Sequence, residues 1–347
     1  MKNYTALALQ APCHAINACP DVPSARAAIV RNIDTIGRQI RASKAFIGPA
    51  LALVVVPEYF LTAYPLGDTI SAWAARAALE VDGPEYASMG RICQDNGVFL
   101  SGNAYETDRH FPGLYFQTSF VIDASGNVVL RYRRLVSMFA PTPHDVWQKY
   151  LDIYGIDGVF PVADTALGRL ACVASEEILY PEISRAFALR GAEVLLHSTS
   201  EIGSPRLTPK DVAKRARAFE SMAYVVSANS GGILDTDFPA QSTDGMSKIV
   251  DFRGEVMVEA GYGASMVANA EIDLAALRRH RQKPAMGNVM ARQRLELFAQ
   301  TYAGSVYPAN TLLDAAGATV VPERSHFMQT QMQVIADLSA KGVFQRE

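Results

Sequence analysis

Apolar residues along this chain change period repeatedly, from every second position to every third or fourth and back. Residues 4–10 (YTALALQ) and 51–58 (LALVVVPE) read as strands. The second is apolar at nearly every position, so both of its faces must be covered and it is predicted as a central strand. Between them, Ala28, Ile29, Ile33, Ile36 and Ile40 recur at helical spacing within 25–42. A second helix over 84–95 stops at Asn96-Gly97 and is followed by a strand over 98–106. Residues 114–123 and 128–133 form a hairpin about Ser125-Gly126-Asn127. The second half repeats the grammar, with strands over 159–165, 169–175, 193–200 and 224–230. Gly191 stops a helix over 181–191, Thr208-Pro209 opens another, and a second hairpin over 247–260 turns at Arg253-Gly254. No linker rich in Pro, Gly or Ser interrupts this order. The pattern predicts one layered α/β domain over 1–284, then a helical extension over 285–347 expected to serve subunit contacts.

Composition narrows the class. The 347 residues are 49% hydrophobic and 19% charged, a core-building mixture, with 32 Lys+Arg against 35 Asp+Glu for a net charge of −3. Such a balance, without a basic cluster, argues against nucleic acid or an anionic membrane as partner. No apolar run reaches the roughly 18 residues a membrane span needs, and the N-terminus lacks a secretory apolar core, so a cytoplasmic location is expected. Four scattered cysteines (Cys13, Cys19, Cys93, Cys172) suggest neither a disulfide framework nor a zinc site. The six histidines show no metal-binding pair, and His197 reads as a satisfied core residue.

Chemistry concentrates where strands end. Pro57-Glu58-Tyr59-Phe60 follows the central strand, where a desolvated carboxylate suits general-base work as well as pairing with an arginine. Arg131-Tyr132-Arg133-Arg134 closes the first hairpin, a run that by itself fits a solvated strand end. Cys172-Val173-Ala174-Ser175-Glu176-Glu177 runs a strand into the helix that begins near Tyr180-Pro181-Glu182. A sharp strand-to-helix turn exposes a nucleophile and aims backbone N–H groups at an oxyanion, though a serine there is equally at home as a turn residue. Strand alternation sets Cys172 and Ser175 on opposite faces, which makes Cys172 a packing residue.

Taken in order, these segments resemble the nitrilase superfamily of carbon–nitrogen hydrolases. PEYFLTAYP resembles its glutamate segment. GNAYE with YFQTSFVIDASGNVVLRYRR resembles the approach to its lysine. SEEILYPEISRAFALRGAEVLLHSTS resembles its nucleophile segment, and RARAFESMAYVVSANSGG and SKIVDFRGEVMVEA resemble later signatures. The resemblance covers about residues 4–275. It implies a four-layer α-β-β-α sandwich pairing into a homodimer or larger homo-oligomer, no cofactor or metal, and a small amide-like substrate. Carried over residue by residue, Glu58 matches the glutamate base, Arg134 falls where the family has lysine, and Ser175 falls where it has cysteine. For a second carboxylate, Asp145 in PTPHDVW is the nearest candidate. Tyr64, Trp147, Glu176, Ser198, Thr199, Ser200 and Glu201 are candidate pocket residues, and Asn229 is expected to fix a loop.

Both departures matter chemically. A serine hydroxyl must give its proton to a base during attack, whereas a thiol ionises readily. Arginine keeps a charge but does not release a proton near neutral pH. With Glu58 as base, and Arg134 and the amide after Ser175 holding the oxyanion, a serine-dependent amide hydrolase or acyl transferase is expected. The expected substrate is a small amide, carbamoyl compound or nitrile, with amide favoured over nitrile because a nitrile adduct needs a proton that Arg134 cannot supply. Two alternatives stand beside it: a relative that has lost hydrolysis and serves as a binding subunit, and a cysteine replaced to trap substrate. Glu176 and Glu177 would favour a cationic substrate, unless one of them pairs with Arg134.

Overall fold

The computed structural model describes residues 3–200, 208–243 and 245–345. Two six-stranded sheets face each other across the core. In the first, strands run in the spatial order Asn269–Ile272, Tyr4–Ala8, Leu51–Val55, Phe99–Thr107, Tyr115–Ile122 and Val128–Arg133. In the second the order is Val256–Glu259, Lys248–Val250, Tyr224–Ala228, Val194–Ser198, Gly168–Ala174 and Ala163–Thr165. Alternation along each strand builds the layers. Ala6, Ala8, Leu53 and Val55 point to the cluster shared with Val173, Leu195 and Val225 of the other sheet. Leu7, Val54, Val56 and Leu100 point the other way, onto Ile29, Ile33, Ile36, Ile40, Met89 and Cys93 of helices Val22–Ile47 and Pro84–Asn96. Helices Pro181–Leu189 and Pro209–Ser221 lie outside the second sheet. The four-layer α-β-β-α arrangement follows directly.

The central strand lies between Tyr4–Ala8 and Phe99–Thr107, parallel to both, with Val54 opposite Leu7 and Leu100. Turn chemistry sits where the sequence signals it. Thr208 accepts the N–H of Asp211 as a helix cap, and Gly126 and Gly254 take φ of +84° and +83° in the two hairpins. The C-terminal ends of the parallel strands converge at one edge, where the sheets are stitched together. Ser198 Oγ donates to the Val56 carbonyl at 2.8 Å, and Glu58 N donates to the Thr199 carbonyl at 3.2 Å. In parallel α/β sheets this edge is where ligands bind.

Beyond residue 284 the chain is less helical than expected. Leu295–Leu297 and Ala299–Tyr302 are single turns, and only Ser325–Ala340 is a helix of length. Gly304, Pro308, Gly317 and Pro322 break the intervening stretch. It lies against its own chain: Asn310 N donates to His144 O (3.0 Å), Leu312 N to Asp145 O (2.9 Å) and Thr319 Oγ1 to Pro112 O (3.1 Å). Phe327 is buried in the outer core of the first sheet. Among the described residues, no helix is long and apolar enough to cross a membrane.

Candidate active site

Ser175 is the first residue after strand Gly168–Ala174, where the chain turns into the short helix Ser175–Leu179. Its φ of +47° lies in the left-handed region, which a side chain tolerates only under tertiary constraint. Part of that constraint is His197. A carbonyl can only accept, so His197 Nε2 donates to Ser175 O at 2.8 Å, and Nδ1 accepts from Ser227 Oγ at 2.8 Å. Burial, reinforced by the nearby Lys214 charge, holds the imidazole pKa well below its usual value, so it stays neutral. Lys210 Nζ donates to Ser175 Oγ at 3.3 Å and to Thr199 Oγ1 at 3.3 Å. The Ser175 hydroxyl therefore faces an amine from the first turn of helix Pro209–Ser221.

Glu58 is almost fully buried, and its Oε1 accepts from Arg134 Nη1 (3.2 Å) and Gln117 Nε2 (3.3 Å). Gln117 also accepts from Arg134 Nη1 (2.9 Å) and donates to the Tyr59 hydroxyl (2.8 Å). Arg134 spends its other donors on the Val136 carbonyl, through Nε at 2.7 Å, and on the Glu176 carboxylate, through Nη2. Burial opposes the guanidinium charge, but Glu58, Tyr59, Glu176 and Glu177 outweigh it and raise the pKa, so the charge is permanent. Arg131 and Arg133, by contrast, are consumed away from the site. Arg131 pairs with Asp82 and Glu106, and Arg133 with Glu106 and Asp108.

One cavity of about 440 Å³ holds Glu58, Arg134, Ser175, Glu176, Tyr64 and Ser200 together. Aromatic side chains supply much of its wall, namely Tyr59, Tyr105, Tyr115 and Phe139, and Arg324 reaches it from the C-terminal tail. A larger concavity of about 720 Å³ around Asp82, Arg109 and His110 holds no serine or cysteine among its lining residues. We take the smaller cavity as the site because the convergent chemistry is there.

Several expected residues fall elsewhere. Asp145 is not a site acid. Its carboxylate accepts from Thr142 N (2.9 Å) and Oγ1 (2.7 Å) and from Thr311 Oγ1 (2.7 Å), capping a short helix and holding the tail. Trp147 packs beside Phe111, Phe116 and Tyr150 with its ring 5.8 Å from that of His144, outside the cavity. Ser198 and Thr199 position the strand ends rather than line the cavity, because their polar groups are spent on Val56, Glu58 and Lys210. Glu201 lies outside the described residues. The oxyanion role expected of Arg134 is largely pre-empted by its four acceptors. Of the acidic pair, Glu176 takes the arginine, while Glu177 is buried beneath the turn. Cys172 faces the inter-sheet core with Sγ 3.8 Å from Ser101 Oγ, and burial pushes its thiol up to about 12. Asn229 does fix its loop, with Oδ1 accepting from Ser230 N at 3.0 Å.

Lys210, Gln117, Tyr59 and Arg324 were not anticipated. A signal existed for Gln117, a lone amide inside the apolar run YFQTSF, because a polar group in a buried strand must find a partner. Nothing in sequence spacing ties Lys210 to Ser175 or Arg324 to either.

The profile of the carbon–nitrogen hydrolase family matches residues 10–282. A formamidase from Pseudomonas syringae pv. syringae is 25% identical over 259 residues, covering 74% of this chain and 69% of its own. Among solved structures, a carbon–nitrogen hydrolase from Helicobacter pylori superposes with a TM-score of 0.64 at 19% identity, covering 87% of this chain and 99% of its own. A glutamate-to-glutamine mutant of an amidase from Nesterenkonia sp. AN1, whose active-site cysteine carries the acetamide moiety of fluoroacetamide, gives 0.59 at 18%, covering 86% and 96%.

Proposed function

This chain belongs to the carbon–nitrogen hydrolase family, and on that premise we propose that it hydrolyses the C–N bond of a small amide through an ester on Ser175. The observation that carries the reading is Ser175 in a left-handed turn, sharing one cavity with Glu58 and Arg134, with an amine on its Oγ.

Ser175 Oγ attacks the carbonyl carbon while its proton passes to Glu58. The C–N bond then breaks, and the departing nitrogen takes that proton from Glu58. Water attacks the ester carbon, Glu58 takes its proton, and Ser175 leaves and recovers one. Arg134 orients Glu58. The Lys210 ammonium lowers the charge developing on Oγ, and the N–H of Glu176, in the first turn of its helix and without an intrahelical acceptor, faces the oxyanion. Lysine in that place restores a proton-bearing cation that arginine at 134 does not provide. The formamidase among similar proteins supports a small amide as substrate. Self-association belongs to the same reading, supported by Leu179, Tyr180 and Phe219, which stand exposed on and beside the helices outside the second sheet.

The test is a comparison of the protein, Ser175→Ala and Ser175→Cys on a panel of amides and nitriles, with intact-mass detection of adducts. An acyl adduct in the parent protein and turnover abolished by Ser175→Ala are expected. Turnover untouched by Ser175→Ala removes the nucleophile assignment. Silence in the parent with gain in Ser175→Cys shows a disarmed site.

A further inference from the structure

His197 has no part in the chemistry set out above, yet it grips the turn that carries the nucleophile. It lies in mid-sheet, where the parallel register sets it opposite Val173 on one side and Ser227 on the other. Strand alternation turns its ring away from the first sheet, since the next residue, Ser198, reaches that sheet through the Val56 carbonyl. His197 and Ser227 are both fully buried. Both ring nitrogens are committed: Ser227 Oγ donates to Nδ1, and Nε2 donates to Ser175 O, each at 2.8 Å. The ring is neutral and carries one proton, and the carbonyl requires that proton on Nε2.

That bond matters because of what shares its peptide group. The Ser175 carbonyl and the Glu176 N–H lie on opposite edges of one rigid plane. The plane can turn only about ψ of Ser175 and φ of Glu176, and turning it would carry the carbonyl off Nε2. Holding the carbonyl toward His197 therefore holds the Glu176 N–H in the opposite direction. Ser175 and Glu176 line the cavity, and His197 does not. The groups also form a chain in which each donates to the next, from the Ser227 hydroxyl to the imidazole and from the imidazole to the peptide. A peptide whose carbonyl accepts such a bond donates more strongly through its own N–H. We propose that His197 and Ser227 are positioning residues that aim and polarise the Glu176 N–H at the oxyanion. The inference rests on the amide-hydrolase reading, in which that N–H holds the oxyanion.

The test compares three variants. His197→Leu removes both ring nitrogens, His197→Gln keeps a donor and an acceptor on one side chain, and Ser227→Ala leaves the ring but takes away its partner. With butyramide as substrate, His197→Leu should lower kcat by about 100-fold, the size of a lost oxyanion donor, with KM within about threefold. His197→Gln should recover about tenfold of that loss, and Ser227→Ala should lose about three- to tenfold. Propylboronic acid separates aiming from packing. Ser175 Oγ forms a bond to its boron, the hydroxyl proton passes to Glu58, and the resulting boronate is tetrahedral and anionic like the oxyanion intermediate. Its Ki should rise by about 100-fold in His197→Leu, while the Kd of butyramide on Ser175→Ala stays within about threefold when His197→Leu is added. Equal losses for boronate and amide, in His197→Leu or in Ser227→Ala, would overturn the proposal. Crystal structures of the parent and the His197 variants read the peptide itself. A plane between Ser175 and Glu176 that turns in His197→Leu and returns in His197→Gln supports the positioning role. A plane unmoved in His197→Leu overturns it whatever the turnover. A parent that neither hydrolyses butyramide nor binds the boronate, with a plane that still turns in His197→Leu, loses the hydrolase reading and keeps this one.

Discussion

Glu177 is the buried carboxyl group on which the site's geometry turns. Its Oε1 accepts from Leu135 N (2.6 Å) and Val136 N (3.1 Å), in the segment after Arg134. Its Oε2 accepts from Tyr132 Oη (2.7 Å) and Ala174 N (3.3 Å), just before Ser175. One side chain thus ties the arginine's strand end to the nucleophile's. Burial raises its pKa from 4.5 to about 7, against the lowering effects of Arg134 and of the donors on Tyr132, Leu135 and Val136. Between those values the folded protein holds a proton that the unfolded chain has released, so stability must fall as pH rises. The contribution is fully present below 4.5 and lost on passing through about 7. The gap between the two values corresponds to about 3 kcal/mol, most of which falls between roughly pH 5 and pH 8. Glu177→Gln removes the titration while keeping the shape. Urea unfolding of both proteins across that range should show the parent losing about 2 to 3 kcal/mol relative to the variant. A gap between them that stays constant within about 0.5 kcal/mol would refute the argument, since every other titrating group is common to both.

Two further outcomes follow from the turn at Ser175. Glycine relieves a left-handed backbone, so Ser175→Gly and Ser175→Ala should both be inactive, with the glycine variant about 1 kcal/mol more stable in urea unfolding; equal stability would show the turn to be unstrained. Replacing Lys210 by Met should lower kcat by about 10²-fold with little change in KM, while Arg, which preserves the charge but not the compact ammonium, should recover only part of it. A KM effect alone, measured by initial rates, would assign Lys210 to substrate binding.

Much of the fold was legible because its signals are local. The strand over 51–58 announces burial on both faces, Thr208-Pro209 announces a helix start, and Ser125-Gly126-Asn127 announces a reversal. Elements lacking such signals were not read. The helix Trp147–Val159 carries two glycines and is broken at Gly155, whose φ is +63°. The edge strand Asn269–Ile272 has no apolar alternation to mark it and is held by pairing with Tyr4–Ala8. The tail misled for a similar reason, since residues 285–347 contain helical fragments whose registration depends on contacts with His144, Asp145 and Pro112 rather than on their own periodicity.

The site divides along the same line. Glu58 and Ser175 could be found because each stands at a strand end, where a periodic pattern stops, and Arg134 because it closes a hairpin. What these residues do depends on partners brought from far along the chain. Arg134 has Gln117 on the neighbouring strand, Glu58 from the first sheet and Glu176 from the turn, and those bonds leave it one free N–H donor and, in the proposed mechanism, suit it to holding Glu58 more than an oxyanion. Once the cation at 134 is committed in this way, a serine at 175 needs another group against its oxygen, and Lys210 is the residue whose amine reaches it. In the proposed mechanism the arginine and the serine therefore go together: with four of its five N–H donors already bonded, Arg134 has little left for the Ser175 oxygen, and the Lys210 amine reaches it instead.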